Sequence, residues 1–314
     1  MTFWTDKTAV VAGGAGFVGV HLVKALVAAG AAVHVVDNFS TSTRAAVTAL
    51  QRSSNRQISV TEADVAVVSD LPKVDVVFNL ASPASPVHYQ ADPIQTWRTN
   101  VIGSYQLMQH AIHSGAILVQ ASTSEVYGDP LSHPQRETDW GNVNPVGIRS
   151  CYDEGKRAAE AVLMDAHRLG LLDVRIARIF NTYGPGMAQD DGRALPQFIA
   201  QARAGQPITL HGDGSQTRSF GYVSDLVRGL MLLAAVPQAT GQVINLGNPQ
   251  EITLHVLAEM IISALASDSP IVLYPRPQDD PQRRCPDISK ARALLGWAPE
   301  VSLQTGLALT LQSG

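Results

Sequence analysis

A glycine triplet between a short apolar run and a helical pattern constrains this fold more than any other feature of the chain. The apolar run is Thr8 to Ala12, and the string GGAGFVG follows, with glycines at Gly13, Gly16 and Gly19. The pattern predicts a helix from about Val18 to Ala29 that ends at Gly30, a residue type suited to a helix C-terminus. A second strand spans Ala31 to Val36 and closes on Asp37. Further buried strands are expected at 58–61, 74–80, 117–121 and 174–179, with long helices at 94–113 and 150–168. Strands alternating with helices imply an α/β fold with a doubly wound parallel sheet and right-handed crossovers. A helix at 222–234 and a strand at 243–246 are expected to return to that first unit. The chain then divides into a Rossmann-type domain, 1–182 with 219–250 returning to it, and a smaller interleaved substrate domain of 183–218 and 251–314.

The glycine turn carries a chemical implication. With little side chain in the way, its backbone can approach a pyrophosphate, and the following helix offers unpaired N–H groups. Such a triplet is weak alone, but here it follows a strand, opens a helix and precedes a strand ending in an acid. Asp37 is suited to accept hydrogen bonds from a ribose and to repel a 2′-phosphate, which selects NAD over NADP.

A second feature lies in Ser122–Glu160. Tyr152 and Lys156 are four residues apart on a predicted helix, so their side chains share a face. A tyrosine with its ordinary pKa of about 10 needs help to act as a base near neutrality. A lysine one turn away favours the phenolate by its charge. Thr123, Ser124 and Glu125 end a preceding apolar strand, adding two hydroxyls and a carboxylate. This combination suits proton removal from a sugar hydroxyl while hydride leaves the same carbon.

Composition narrows the class. The net charge of −4 argues against general nucleic-acid binding. No apolar run approaches the ~20 residues of a membrane span, and the N-terminus MTFWTDKTAVVAGG does not read as a signal peptide; a cytoplasmic, membrane-free enzyme is the expectation. Two cysteines, Cys151 and Cys285, make no disulfide framework. The nine histidines form no metal-binding array, so no metal is expected, and His133 reads as a loop residue.

The glycine spacing together with Tyr152 and Lys156 resembles the extended short-chain dehydrogenase/reductase superfamily. Longer strings narrow the resemblance to UDP-glucuronate decarboxylases: LASPASP at Leu80–Pro86, STSEVYGDP at Ser122–Pro130, WGNVNPVGIRSCYDEGKR at Trp140–Arg157, RIFNTYGP at Arg178–Pro185, GDGSQTRSF at Gly212–Phe220 and DDPQRRCPD at Asp279–Asp287. Ser42, Gly186 and Cys285 depart from that pattern, which usually has glycine, arginine and lysine there.

The resemblance implies NAD-dependent conversion of UDP-glucuronate to UDP-xylose and carbon dioxide through a C4-keto intermediate. Catalytic roles would fall to Thr123, Ser124, Glu125, Tyr152, Lys156 and Arg284. Cofactor contacts would come from Gly13, Gly16, Phe17, Val18, Gly19, Asp37, Asn38, Thr41, Asp64, Val65, Leu80, Ala81, Ser82, Thr99, Ala121, Tyr152, Lys156 and Thr182. Tyr89, Arg98, Asn181, Arg193 and Arg218 would bind the substrate. Ser124 is the most diagnostic position, because related 4,6-dehydratases carry an aspartate there that would repel a sugar carboxylate. Pairing of the 94–113 and 150–168 helices with a second copy would give a homodimer. The alternatives are a nucleotide-sugar 4-epimerase or 4,6-dehydratase on the same fold, or a non-catalytic dinucleotide sensor.

Overall fold

The computed structural model describes residues 2–54, 58–188, 191–275 and 283–312. Its centre is a seven-stranded sheet of β1 (Thr8–Ala12), β2 (Ala32–Asp37), β3 (Ile58–Glu62), β4 (Val76–Asn79), β5 (Ile117–Thr123), β6 (Asp173–Ile179) and β7 (Val243–Leu246). In space the order is β7-β6-β5-β4-β1-β2-β3, and every neighbouring pair is parallel. The central strands form because their residues are apolar on both faces, as a sheet covered on both sides requires, whereas edge strand β3 is partly exposed. Ala9, Val11, Val33, Val35, Val76 and Phe78 point to one core, and Val10, Ala12, Val36, Val77 and Leu118 to the other.

Five helices cover these faces: α1 (Phe17–Ala28), α2 (Arg44–Ser53), α3 (Ser104–Ser114), α4 (Ser150–Arg168) and α5 (Val223–Ala235). Leu22 and Leu26 of α1, Val47 and Leu50 of α2, and Leu226 and Leu230 of α5 enter the first core. Leu107 and Ala111 of α3 and Leu163 and Ala166 of α4 enter the second. The doubly wound parallel sheet is therefore as the sequence pattern implies; β7 pairs with β6 at its edge, and α5 packs on the first core. No helix among the described residues is long and apolar enough to cross a membrane.

Two boundaries differ from the periodicity reading in ways that matter for the cleft. β5 runs two residues past Ala121, because Ser122 and Thr123 still pair with Arg178 and Ile179 of β6. The helix expected at 94–113 is a helical rod from Pro93 to Ser114 with one π turn at Thr99–Gly103. The wider turn lets adjacent Thr99 and Asn100 both face inward, where both are buried.

Outside the main sheet, Ile208–His211 pairs with Ile271–Tyr274. A three-stranded sheet joins Glu251–Thr253, Thr217–Ser219 and Arg283–Arg284. Residues 279–282, the start of the DDPQRRCPD string, lie outside the described residues.

The glycine turn shows why side chains are excluded there. A Cβ on Gly19 would fall 2.2 Å from the Gly13 carbonyl oxygen, whereas one on Gly16 would meet nothing closer than 3.4 Å. Gly19→Ala is thus expected to destabilise the fold by about 1–3 kcal/mol, and Gly16→Ala to stay within about 1 kcal/mol of wild type. Thermal melts without ligand check this, and equal losses in the two variants would contradict the packing argument.

Candidate active site

A cleft of about 600 Å³ opens at the carboxyl ends of β1, β4, β5 and β6. It sits where the strand order reverses between β4 and β1, the usual ligand position in an open parallel sheet. Gly13, Gly16, Phe17, Val18 and Gly19 line one end, with Thr41, Leu80, Ser82, Ala121 and Thr182 beside them. Asp37, Asn38, Asp64, Val65, Ala81 and Thr99 lie outside this lining. Asp64 accepts hydrogen bonds from Gln95 and the Ala66 N–H, at 2.6 and 2.8 Å, while Val65 and Thr99 are buried.

Asp37 stands just behind the turn. Its Oδ2 accepts the Ala15 N–H at 2.9 Å, and its Oδ1 accepts the Phe39 N–H at 2.9 Å and the Ser42 hydroxyl at 3.0 Å. A carboxylate has about four acceptor sites, so Asp37 braces the turn and retains capacity on Oδ2. The open space over Gly16, the start of α1 and this carboxylate together fit a dinucleotide. Ser42, one of the departures, adds a brace to Asp37 that glycine lacks.

The part of the cleft beyond the glycine turn is built by one face of α4. Tyr152, Lys156 and Glu160 recur every fourth residue and are all buried. Lys156 Nζ donates to the Ala121 carbonyl at 3.0 Å and stands 5.8 Å from the centre of the Tyr152 ring. Burial pulls Lys156 down to about 8, opposed by Glu160. Burial pushes the Tyr152 hydroxyl up to about 12, opposed by a hydrogen bond with the Thr123 side chain. The net direction is therefore upward, opposite to the lowering expected from the lysine, because desolvation is the largest influence on the Tyr152 hydroxyl. Tyr89 stacks flat on Tyr152, with ring centres 5.1 Å apart and planes 9° from parallel. Glu160 is itself anchored by Arg178 Nε and Nη2, at 3.0 and 2.8 Å, and by the Ser122 hydroxyl at 2.5 Å.

Ser124 and Glu125 begin the short turn that follows β5, and the Thr123 hydroxyl accepts the Glu125 N–H at 3.2 Å. Ser124 is buried and lines the cleft. Glu125 is clamped between two cations. Arg284 reaches its Oε1 and Oε2 at 2.7 Å each, and Arg149 reaches Oε2 at 2.5 Å. The geometry is bidentate and nearly dry, so each partner fixes the other. Arg284 is accordingly no surface cation; its side chain is 11% exposed.

Of the residues expected at the substrate, Tyr89, Asn181, Arg193 and Arg218 line the cleft. Asp191 holds the Arg193 guanidinium through both its oxygens. Arg218 is buried and donates to the Thr217 carbonyl at 2.9 Å. Arg98 is the exception. It is exposed and outside the lining, because the inward turn positions beside it belong to Thr96 and Thr99.

Sequence reasoning passed over Arg149, Asp153 and Glu160. The signal was present: stepping the four-residue spacing of Tyr152 and Lys156 forward reaches Glu160, and the turn before Tyr152 holds Arg149. Asp153 lies 3.9 Å from Arg149, and its Oδ1 accepts no hydrogen bond from the described residues. Burial, and next the Glu125 charge, push the Asp153 carboxyl up to about 7.

A profile of the NAD dependent epimerase/dehydratase family matches residues 9–247. The chain belongs to that family. It is 52% identical over 303 residues to UDP-glucuronic acid decarboxylase 2 of Arabidopsis thaliana, covering 96% of this chain and 67% of that protein. It is 48% identical over 307 residues to UDP-glucuronic acid decarboxylase 1 of Danio rerio, covering 98% and 72%. Among solved structures, UDP-glucose 4-epimerase of Thermotoga maritima with UDP-glucose superposes with a TM-score of 0.89 at 28% identity, covering 98% of each chain. UDP-glucuronic acid 4-epimerase of Bacillus cereus with UDP-glucuronic acid and NAD does so with a TM-score of 0.86 at 28% identity, again over 98% of each. The family therefore uses NAD, and the Rossmann-type reading of the sheet stands.

The raised Asp153 carboxyl has a stability consequence. An unfolded aspartate ionises near 3.9, so between that pH and about 7 the folded state holds the extra proton and stability falls as pH rises. Asp153→Asn is expected to flatten this slope by about 2 kcal/mol between pH ~5 and pH ~8. Denaturant melts at the two pH values measure it, and parallel slopes in the two proteins would rule it out.

Proposed function

We propose that this enzyme decarboxylates UDP-glucuronate to UDP-xylose, using NAD that is recycled within the turnover. The observation that carries the reading is the buried Tyr152–Lys156 pair beside a guanidinium-clamped Glu125, in a chain half identical to UDP-glucuronic acid decarboxylases. On this reading, residues 1–182 with 219–250 hold NAD, chiefly through the glycine turn, Asp37 and Lys156. Residues 183–218 and 251–314 grip the nucleotide sugar through Arg193 and Arg218, whose guanidiniums suit diphosphate oxygens.

When bound, NAD supplies the acceptor for the C4 hydride and later its source. Tyr152 takes the C4 hydroxyl proton. The cost of forming its phenolate in a dry site is lowered by the Lys156 ammonium and by the Thr123 hydroxyl. The resulting C4 ketone makes the C5 substituent a β-keto acid. Breaking the C5–C6 bond releases carbon dioxide and leaves the electron pair as an enolate on the C4 oxygen. Tyr152 and Thr123 are placed to stabilise that oxygen. C5 then takes up a proton, one per carbon dioxide released. A guanidinium is too weak an acid to donate it. The role that suits Arg284 and Arg149 is to fix Glu125 so that it orders the donating water, and to offset the sugar carboxylate by their charge. Ser124 leaves room for that carboxylate and adds no like charge.

We also propose a homodimer through the outer faces of the Pro93–Ser114 rod and α4. Ile94, Trp97 and Tyr105 are exposed there, at 72%, 44% and 45%, and a patch pairing with its own copy is the commonest closed assembly. Sedimentation at micromolar concentration should show a dimer; a monomer would count against this interface.

Tyr152→Phe is expected to cut turnover by about 10²–10⁴-fold while UDP-glucuronate still binds. Ser124→Asp should impair turnover far more than Ser124→Ala, since only aspartate adds a like charge. Arg284→Ala should release a keto sugar alongside xylose product, because oxidation at C4 does not need that guanidinium. Mass spectrometry of products from UDP-glucuronate resolves all three. Near-wild-type rates in Tyr152→Phe would remove the tyrosine from the acid–base step, and equal mild effects at position 124 would mean that Ser124 does not face the sugar acid.

A further inference from the structure

Away from the reacting groups, three side chains from distant parts of the chain meet. His133, Glu251 and Cys285 bring their donor atoms within 4.8 Å of one another. Their backbones come from the loop before Gln135, from the strand Glu251–Thr253 and from the residue after the strand Arg283–Arg284. His133 Nε2 lies 2.8 Å from Glu251 Oε2, and the Thr217 hydroxyl donates to Glu251 Oε1 at 2.6 Å. The Cys285 thiol is buried and faces the Pro249 carbonyl at 3.3 Å. His133 keeps 30% of its side chain exposed, which leaves a route from solvent.

We propose that His133, Glu251 and Cys285 bind a zinc-class divalent cation. Imidazole nitrogen, carboxylate oxygen and thiolate sulfur are each donors this ion accepts, and three protein donors leave the fourth position to water. Tetrahedral zinc with bonds of about 2.0–2.3 Å holds its donors roughly 3.3–3.8 Å apart. The present cluster reaches that by side-chain movements of about 1 Å. Binding expels the thiol proton to solvent and leaves the thiolate on the metal.

The backbone is already set for this. Gln135 accepts the Cys285 N–H through Oε1 at 2.7 Å, donates its own N–H to the Cys285 carbonyl at 2.9 Å, and accepts the Asp287 N–H at 2.8 Å. Glu251 pairs with Ser219 on the strand whose other edge carries Arg283 and Arg284. A cation here would therefore tie together the 133 loop, the 251 strand and the segment presenting Arg284. It acts on the shape of the cleft from outside it.

Titration of the full-length protein with Co²⁺ tests the site. Wild type should develop a thiolate-to-cobalt absorption band that saturates at one equivalent and is displaced by Zn²⁺. Cys151→Ser should keep the band, Cys285→Ser should lose it, and Glu251→Gln should weaken cobalt binding at least ~10-fold. Zn²⁺ at roughly a hundredfold excess over Kd should raise the melting temperature of wild type by about 2–5 °C and leave Cys285→Ser unchanged. Metal-free melts and far-UV circular dichroism establish that each variant is folded. Absence of the band in folded wild type, or equal zinc shifts in wild type and Cys285→Ser, would overturn the proposal.

Discussion

The cleft depends on keeping a lysine ammonium in a place that water does not reach. Lys156 is 3% exposed, and burial alone works against its charge. Two features offset that cost. The Ala121 carbonyl near the end of β5 accepts a hydrogen bond from it, and Glu160 supplies an opposite charge one turn further along α4. Glu160 in turn needs neutralising, and Arg178 of β6 does so with two hydrogen bonds. A chain of alternating charge thus runs from the helix that carries Tyr152 into the sheet. It fixes α4 against β5 and β6 at the register where Tyr152 meets Thr123.

A second charge cluster closes the other side. Glu125 leaves the end of β5, Arg149 precedes α4, and Arg284 comes from the far C-terminal region. A buried pair of this kind adds little net stability, yet removing one partner strands the other charge. The arrangement therefore specifies position more than it adds stability, and it makes the C-terminal strand part of the cleft wall. Asp153 bears the cost of the crowding, since it sits near Glu125 with little solvent to screen it and holds its proton to unusually high pH.

Much of the sheet and half of the cleft could be read along the chain. The glycine turn, the strand ending in Asp37 and the helical spacing of Tyr152 and Lys156 are local patterns, and local patterns survive in sequence because neighbours in space are neighbours in the chain. The π turn was not legible, since it depends on tertiary packing: a Cβ at Gly103, where the turn ends, would fall 2.5 Å from Val65. Arg98 shows the converse error. A cation near the right segment still points to solvent when its helical phase places Thr96 and Thr99 inward.

What the sequence determined by itself is the class of fold and the shared helix face of Tyr152 and Lys156, because both rest on periodicities of a few residues. What only the tertiary structure decided is which distant charges meet. Glu125 and Arg284 are 159 positions apart and touch through both carboxylate oxygens. His133, Glu251 and Cys285 show no spacing that suggests a shared site, yet they converge through the pairing of Gln135 with the 285–287 segment. Such meetings are set by how sheets and loops close on one another. That closure depends on the packing of the whole chain and leaves no local mark.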